Sequence, residues 1–246
     1  MTRFCVQIGW QDVPHLSKKQ QDELLDAFPP HERDARAKGV PMLGSGRIYP
    51  VDEKQLIIDP FSIPSYWPRA YGLDVGWKCT AAMWGAWDRD NDTLYLTSEH
   101  YMGQQPPQVH ADAIKRRGDW MTGAIDPSAH GVINHKDGEN LMQEYRALDL
   151  TLVNADNSVE AGIMACYRRM SSGRLKVFST CVNWLREYNI YRRDEKGKVV
   201  KENDHAMDAT RYLVMTGMQH AALPPQDDDE TDSWSRDRGR SLTTGY

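Results

Sequence analysis

Four aspartates stand where carboxylates do chemistry. Asp74 sits inside an apolar, strand-like run, Tyr71-Gly72-Leu73-Asp74-Val75-Gly76-Trp77. Asp126 closes another, after Ala124-Ile125 and before Pro127. Asp204 and Asp208 lie four apart in a helix-like segment near the end of the chain, so they share a face. A carboxylate inside an apolar strand is costly to bury unless it is paired or bound to a cation. Two acidic strand positions and one acidic helix can converge at one rim of a sheet. Hard oxygen donors at such a point suit Mg²⁺ or Mn²⁺ rather than zinc. Two such ions, about 4 Å apart, would polarise a phosphodiester, activate a water and stabilise the leaving oxygen.

Each residue alone also has an ordinary reading. Asp74, close to Gly76, is compatible with a turn. Asp126-Pro127 is a common turn initiator. Asp204 fits the first turn of a helix, where the dipole favours a negative charge. Asp208 is placed to pair with Arg211 or Tyr212. What singles the four out is their joint placement: first strand of a domain, fourth strand, last helix.

A cationic stretch leads into that helix. From Arg168 to Lys201 there are 10 basic residues and three acidic ones, a charge of +7. The whole chain carries −5, so the remainder carries −12. Arg168, Arg169, Arg186, Arg192, Arg193, Lys196, Lys198 and Lys201 are candidate contacts to a phosphate backbone. Trp184, Tyr188 and Tyr191 interleave with them. Backbone contacts carry little base information, so low sequence specificity is expected. The alternative is a solvated hairpin whose lysines protect its edges.

The elements that must position these groups read as an α/β domain. Strands are expected over 71–77, 80–87 and 93–101, joined by short connections into an antiparallel meander. A helix over 106–118 has Pro near its start and Gly at its end. A strand over 121–126, a helix over 139–148, a strand over 150–154 and a helix over 159–170 follow. The order βββαβαβα implies a mixed sheet flanked by helices. Then come a strand over 174–178, a helix over 181–188 and a hairpin over 190–201 turning near Lys196-Gly197. Asn203 is the expected cap of the last helix, 204–218.

The flanks differ. Residues 1–69 are rich in turn signals and read as a connector. Within them Ser17, with Gln20 three residues on, opens a helix by a capping box, and Pro29-Pro30 ends it. A second short polar helix is expected over 31–38. Residues 70–220 form the domain proper. Residues 221–246 read as a disordered acidic tail, with Asp227-Asp228-Asp229-Glu230 at its centre.

The 246 residues suffice for one well-buried domain with appendages. No apolar run approaches the roughly 20 residues that span a bilayer, and Met1–Gln7 lacks a signal-peptide core. The four cysteines, Cys5, Cys79, Cys166 and Cys181, form no paired motif and are expected as buried thiols in a reducing compartment.

Three segments together resemble a known family: Gly72-Leu73-Asp74-Val75-Gly76-Trp77, Ala124-Ile125-Asp126-Pro127-Ser128, and Asn203-Asp204-His205-Ala206-Met207-Asp208-Ala209-Thr210-Arg211-Tyr212. They resemble the ribonuclease H-like nuclease fold, and more closely the C-terminal nuclease domain of the large terminase subunit of tailed bacteriophages. The basic hairpin before the last segment shares the resemblance. So does the run Pro29-Pro30-His31-Glu32-Arg33-Asp34-Ala35-Arg36 with Gly44-Ser45-Gly46-Arg47, which looks like the link between that family's ATPase and nuclease domains.

The resemblance implies a metal-dependent endonuclease that cuts concatemeric double-stranded viral DNA in the host cytoplasm, using Mg²⁺ or Mn²⁺. Asp74 would bridge two ions, Asp126 would bind one and Asp208 the other. The run from His205 to Ala209 also resembles the last motif of resolvases of this fold, which keeps Asp204 and His205 as candidate ligands or shapers of the site. Implied partners are the viral DNA, the small terminase subunit and the portal protein, the last through the tail. No G-x-x-x-x-G-K-[ST] loop is present, so translocation by this chain alone is not expected. The chain reads as a piece of a longer protein or as a separately encoded nuclease. Competing readings are a junction resolvase, an actin-like ATPase and a non-catalytic module that grips DNA or the portal.

Overall fold

A computed structural model describes residues 16–27, 46–130, 140–194 and 196–225, together with Trp10, Val13 and Ala37. Its helices are α1 (Lys18–Ala27), α2 (Glu53–Leu56), α3 (Pro107–Lys115), α4 (Leu141–Ala147), α5 (Val159–Ser171), α6 (Val182–Ile190) and α7 (His205–Met215). Its strands are β1 (Ile57–Ile58), β2 (Arg69–Asp74), β3 (Thr80–Asp88), β4 (Thr93–Met102), β5 (Gly123–Ile125), β6 (Leu152–Asn154) and β7 (Leu175–Phe178). The polar helix expected over 31–38, Ala37 apart, the Pro29–Arg36 link and the tail beyond residue 225 lie outside the described residues. Among the described residues no helix is long and apolar enough to cross a membrane.

The strands form one seven-stranded mixed sheet in the order β1-β7-β4-β3-β2-β5-β6. The meander is as expected: β2 pairs antiparallel with β3, and β3 with β4. The strands β5, β6, β7 and β1 add on in parallel. Parallel neighbours need crossovers, and α3, α4 and α5 with their loops supply the chain for them. The hairpin between β3 and β4 is held by buried Asp88, which accepts from Asp90 N, Asn91 N and the Asn91 side chain. Asp92, in the left-handed region at φ 46°, then anchors Arg169 and Arg174 through its carboxylate.

Helices cover both faces of the sheet, so β2 and β3 are buried along nearly their whole length. Period-two alternation sorts their side chains. Tyr71 and Leu73 of β2, and Ala82 and Trp84 of β3, face Ile114, Met142 and Tyr145 from α3 and α4. Ala70, Ala81 and Met83 face the opposite layer with Trp184, Tyr188, Ala209 and Leu213 from α6 and α7. Gly72 is required there: a Cβ on it would overlap the Ala209 carbonyl oxygen and crowd the Leu213 nitrogen. Its absence lets α7 lie directly against β2.

Three expectations shift. The core begins upstream of residue 70. Ile48, Tyr49, Val51 and Leu56 are buried in it, and Ile57-Ile58 pairs in parallel with Val177-Phe178 as the edge strand. The hairpin over 190–201 starts later, because Ile190 ends α6. It is closed by a bridge between Arg193 and Val199, and Arg192 bridges instead to Arg47. The cap of the last helix is Asp204, and Asn203 takes φ 52° before it. The capping box at Ser17 is present: Ser17 N donates to Gln20 Oε1 at 3.0 Å and Gln20 N to Ser17 Oγ at 3.4 Å. Cys79, Cys166 and Cys181 are buried and free.

Candidate active site

Asp74 is the last residue of β2, and alternation turns it to the same face as Gly72, toward α7. Asp126 follows β5, and its N–H donates to the Leu73 carbonyl at 3.0 Å, extending the parallel ladder by one residue beside Asp74. From α7, His205 Nδ1 lies 2.8 Å from Asp74 Oδ2. Asp208 is one turn further along the same helix. All four aspartates are buried. The geometry therefore brings Asp74, Asp126, Asp204, His205 and Asp208 to one rim of the sheet.

The carboxylates are already engaged. Asp126 accepts from Ser128 N at 3.0 Å and from Ser128 Oγ at 2.5 Å, so it is a turn-former as well as a rim residue. Asp208 Oδ2 accepts from Lys201 Nζ at 2.9 Å, and Asp208 Oδ1 lies 3.0 Å from Arg211 Nη2. Arg211 is itself buried, and Gly162 leaves the space that its aliphatic stem fills. Lys201 Nζ also stands 3.3 Å from Asp204 Oδ2, an ion pair without hydrogen-bond geometry, which leaves that buried oxygen without a hydrogen-bond partner.

Burial pushes the Asp74 carboxyl up to about 6, against the pull of the His205 hydrogen bond; the charges of Asp208 and Asp126 add to the rise. The Asp204 carboxyl is raised by burial and by Asp208. His205 is raised by its hydrogen bond to Asp74, with burial opposing. Clustered carboxylates that resist ionisation together favour an added cation.

Among the described residues no three His, Cys, Asp or Glu side chains stand together as a ready ion-binding cluster. The donor set nevertheless fits a hard divalent cation. It consists of buried aspartate oxygens, and it already draws an ammonium group to it, Lys201 Nζ, which pairs with Asp204 and Asp208.

One residue that sequence reasoning passed over organises the rim. Glu187 is fully buried and accepts from Ala206 N at 2.6 Å, Met207 N at 3.3 Å and Tyr101 Oη at 2.7 Å. Those two N–H groups are the ones a cap residue normally takes. With Glu187 holding them, Asp204 makes no capping bond and its carboxylate is free to face Lys201. A signal was available: Glu187 falls on the Trp184-Glu187-Tyr188 stripe, spaced as the buried face of α6.

The basic candidates separate into two groups. Arg168, Arg186, Arg192, Lys196 and Lys198 are exposed, with the Arg186 guanidinium 5.3 Å from the Tyr101 ring centre. Arg169 pairs with Asp92, Arg193 with Glu160, and Lys201 with Asp204 and Asp208. These three hold the protein's own carboxylates.

The model of the terminase RNaseH-like domain matches residues 72–216. Large terminase subunits of Enterobacteria phage LP7 and Salmonella phage P22 are each 33% identical over 216 residues; the match covers 83% of this chain and 44% and 42% of theirs. The chain thus spans less than half the length of these curated relatives. Among solved structures, the nuclease domain of the P22 large terminase superposes with a TM-score of 0.66 at 32% identity, over 73% of this chain and 96% of that one. The large terminase of a thermophilic bacteriophage shares the fold, with a TM-score of 0.61 at 21% identity over 86% of this chain and 55% of that one. The matched span opens two residues before Asp74 and closes just after α7, so it holds Asp74, Asp126, Asp204, His205 and Asp208. The sheet is ribonuclease H-like, and the chain belongs to the terminase RNaseH-like domain family.

Proposed function

We propose that this chain is the nuclease part of a phage genome-packaging terminase, a divalent-metal-dependent endonuclease that cuts concatemeric double-stranded DNA with little sequence preference. The observation that carries the reading is the convergence of Asp74 at the end of β2, Asp126 just after β5 and Asp208 on α7 at one buried rim. Mg²⁺ or Mn²⁺, as a pair of ions held by these three with Asp204 in reserve, would polarise the phosphodiester and activate water. The chain's own residues do the rest. His205 orients Asp74 through the 2.8 Å hydrogen bond. Arg211 fixes the Asp208 carboxylate from the buried side. Glu187 sets the start of α7 so that Asp204 and Asp208 face the same point. The exposed cations Arg168, Arg186, Arg192, Lys196 and Lys198 neutralise backbone phosphates and read no bases. The longer protein to which such a domain belongs would engage the portal and the small subunit.

Cleavage of supercoiled plasmid in Mn²⁺ tests the reading. Asp74→Asn and Asp126→Asn abolish cleavage while leaving the circular dichroism spectrum unchanged. Full cleavage by both variants would overturn the assignment.

A further inference from the structure

A cleft of about 480 Å³ opens beside the acidic rim, between the end of α6, the hairpin and the segment entering the domain at Arg47. Its walls include Arg47, Asn189, Arg192, Val200, Glu202 and Asn203. It adjoins the acidic site through the chain itself: Asn203 precedes Asp204, and Val200 precedes Lys201.

Two guanidiniums face this space. Arg47 and Arg192 are partners in an antiparallel bridge, so their side chains leave the backbone on the same side. Arg47 is held in place. Its Nη2 donates to Asn189 Oδ1 at 2.8 Å, and its guanidinium carbon lies 5.3 Å from the centre of the Tyr188 ring. Asn189 is fixed in turn by donating to Glu53 Oε2 at 2.7 Å. Neither Arg47 nor Arg192 has an ion-pair partner among the described residues. In this the pair differs from Arg169, Arg193 and Lys201. One exposed carboxylate, Glu202, lies in the wall, so the cleft keeps a net positive charge.

A planar, preorganised guanidinium without a carboxylate is suited to a phosphate group. A single strand carries one phosphate per about 3.4 Å of helix axis. The cleft wall at Asn203 runs straight into Asp204 of the rim, so the two can meet neighbouring phosphates of one strand. We propose that the Arg47–Arg192 cleft is a phosphodiester-binding subsite that grips the DNA strand beside the bond to be cut. The inference rests on the nuclease reading. It adds Arg47, which lies outside the basic stretch, as a DNA-holding residue.

Duplex binding measured by fluorescence anisotropy in Ca²⁺ across a salt series tests it, with Mn²⁺-dependent plasmid cleavage run in parallel. Removing one bound phosphate lowers the slope of log K against log[salt] by about 0.9. Arg192→Ala flattens the slope by about that amount, and Arg47→Ala with Arg192→Ala by about twice as much. Because Arg47 also packs on Tyr188, the exposed Arg192 variant carries the test if the double variant is poorly folded. Wild-type protein that binds and cuts, beside an Arg192→Ala variant with the wild-type slope, overturns the subsite and leaves the nuclease reading standing. Wild-type protein that neither binds nor cuts duplex overturns both.

Discussion

Lys201 Nζ lies 2.9 Å from Asp208 Oδ2, at the centre of the acidic rim. A residue counted from its charge as a DNA contact is thus a counter-ion to the protein's own carboxylates. Burial works against its positive charge, yet Asp208 and Asp204 hold its pKa above the ordinary lysine value. An ammonium in that position neutralises the charge that a divalent cation would neutralise. A unit charge about 4 Å away is worth roughly 1–4 kcal/mol near a protein surface, and about 1.4 kcal/mol is tenfold in affinity. Lys201→Ala should therefore bind Mn²⁺ about tenfold more tightly than the wild type in calorimetry without DNA. It should also melt lower than the wild type when no metal is added. Unchanged or weaker Mn²⁺ binding would show that Lys201 does not compete for the site.

Gly72 controls how close α7 comes to β2, and so the approach of Asp208 to Asp74. A Cβ at Gly72 would strike main-chain atoms of Ala209 and Leu213, which cannot swing aside as a side chain would. Overpacking of this kind costs about 1–3 kcal/mol or more. Gly72→Ala should lower the urea midpoint substantially and reduce cleavage further than its stability loss explains. Gly173, at φ 73° with open space around it, is the control: its alanine variant should lose only about 1–2 kcal/mol, from backbone strain. Equal losses at the two sites would remove the packing argument.

Much of this fold is readable from periodicity. The meander shows in the apolar runs of β2, β3 and β4, and the acidic positions show because an aspartate among Leu73, Val75 and Ile125 needs a cause. What periodicity does not reach is contact at long range. Ile57-Ile58 is too short to carry a pattern, and its partner Val177-Phe178 lies 120 residues away. The cap of α7 falls one residue later than expected because Glu187, on another helix, takes the N–H groups. Charge counting totals the cations from Arg168 to Lys201 without showing which are already paired. Arg169, Arg193 and Lys201 are, because Asp92, Glu160 and the aspartate rim stand opposite them.

His100 on β4 and His110 on α3 form a buried pair, Nε2 to Nδ1, at 2.8 Å. One proton lies between those two nitrogens, so the two rings cannot both be protonated in this arrangement. Burial pushes His100 down to about 4, helped by His110 and Arg117, and burial also lowers His110. Both folded-state values lie below the ordinary histidine value of about 6.5. Stability from the pair is therefore fully present above that pH. It is lost as the pH falls from about 6.5 toward 4, where the unfolded chain takes up protons that the folded one refuses. At 1.36 kcal/mol per unit, His100 accounts for roughly 2–3 kcal/mol across that window. Urea midpoints from pH 7.5 to 4.5 should fall for the wild type and fall less for His100→Gln. Parallel curves would exclude the pair as the cause.

Glu187 joins three elements through one carboxylate: α6 that carries it, Tyr101 on β4, and the start of α7. Removing it strands two buried N–H groups and takes the acceptor from the half-buried Tyr101 hydroxyl. Each such group costs about 1–3 kcal/mol when left unpaired. Glu187→Ala should therefore lower stability by roughly 1–3 kcal/mol, a loss limited by Asp204 taking over part of the capping. Glu187→Gln is a milder change. Its amide oxygen accepts from Ala206 N and Met207 N, and its NH₂ donates to Tyr101 Oη once that hydroxyl turns. The two variants also separate at the rim. In Glu187→Ala, the free N–H groups attract the Asp204 carboxylate back into the capping position it does not take in the wild type, away from Lys201. Nuclease activity at a temperature where both variants are folded should then be lower for Glu187→Ala than for Glu187→Gln. A Glu187→Ala protein with wild-type urea midpoint and cleavage would mean that the start of α7 is held by its own packing on β2 rather than by this carboxylate.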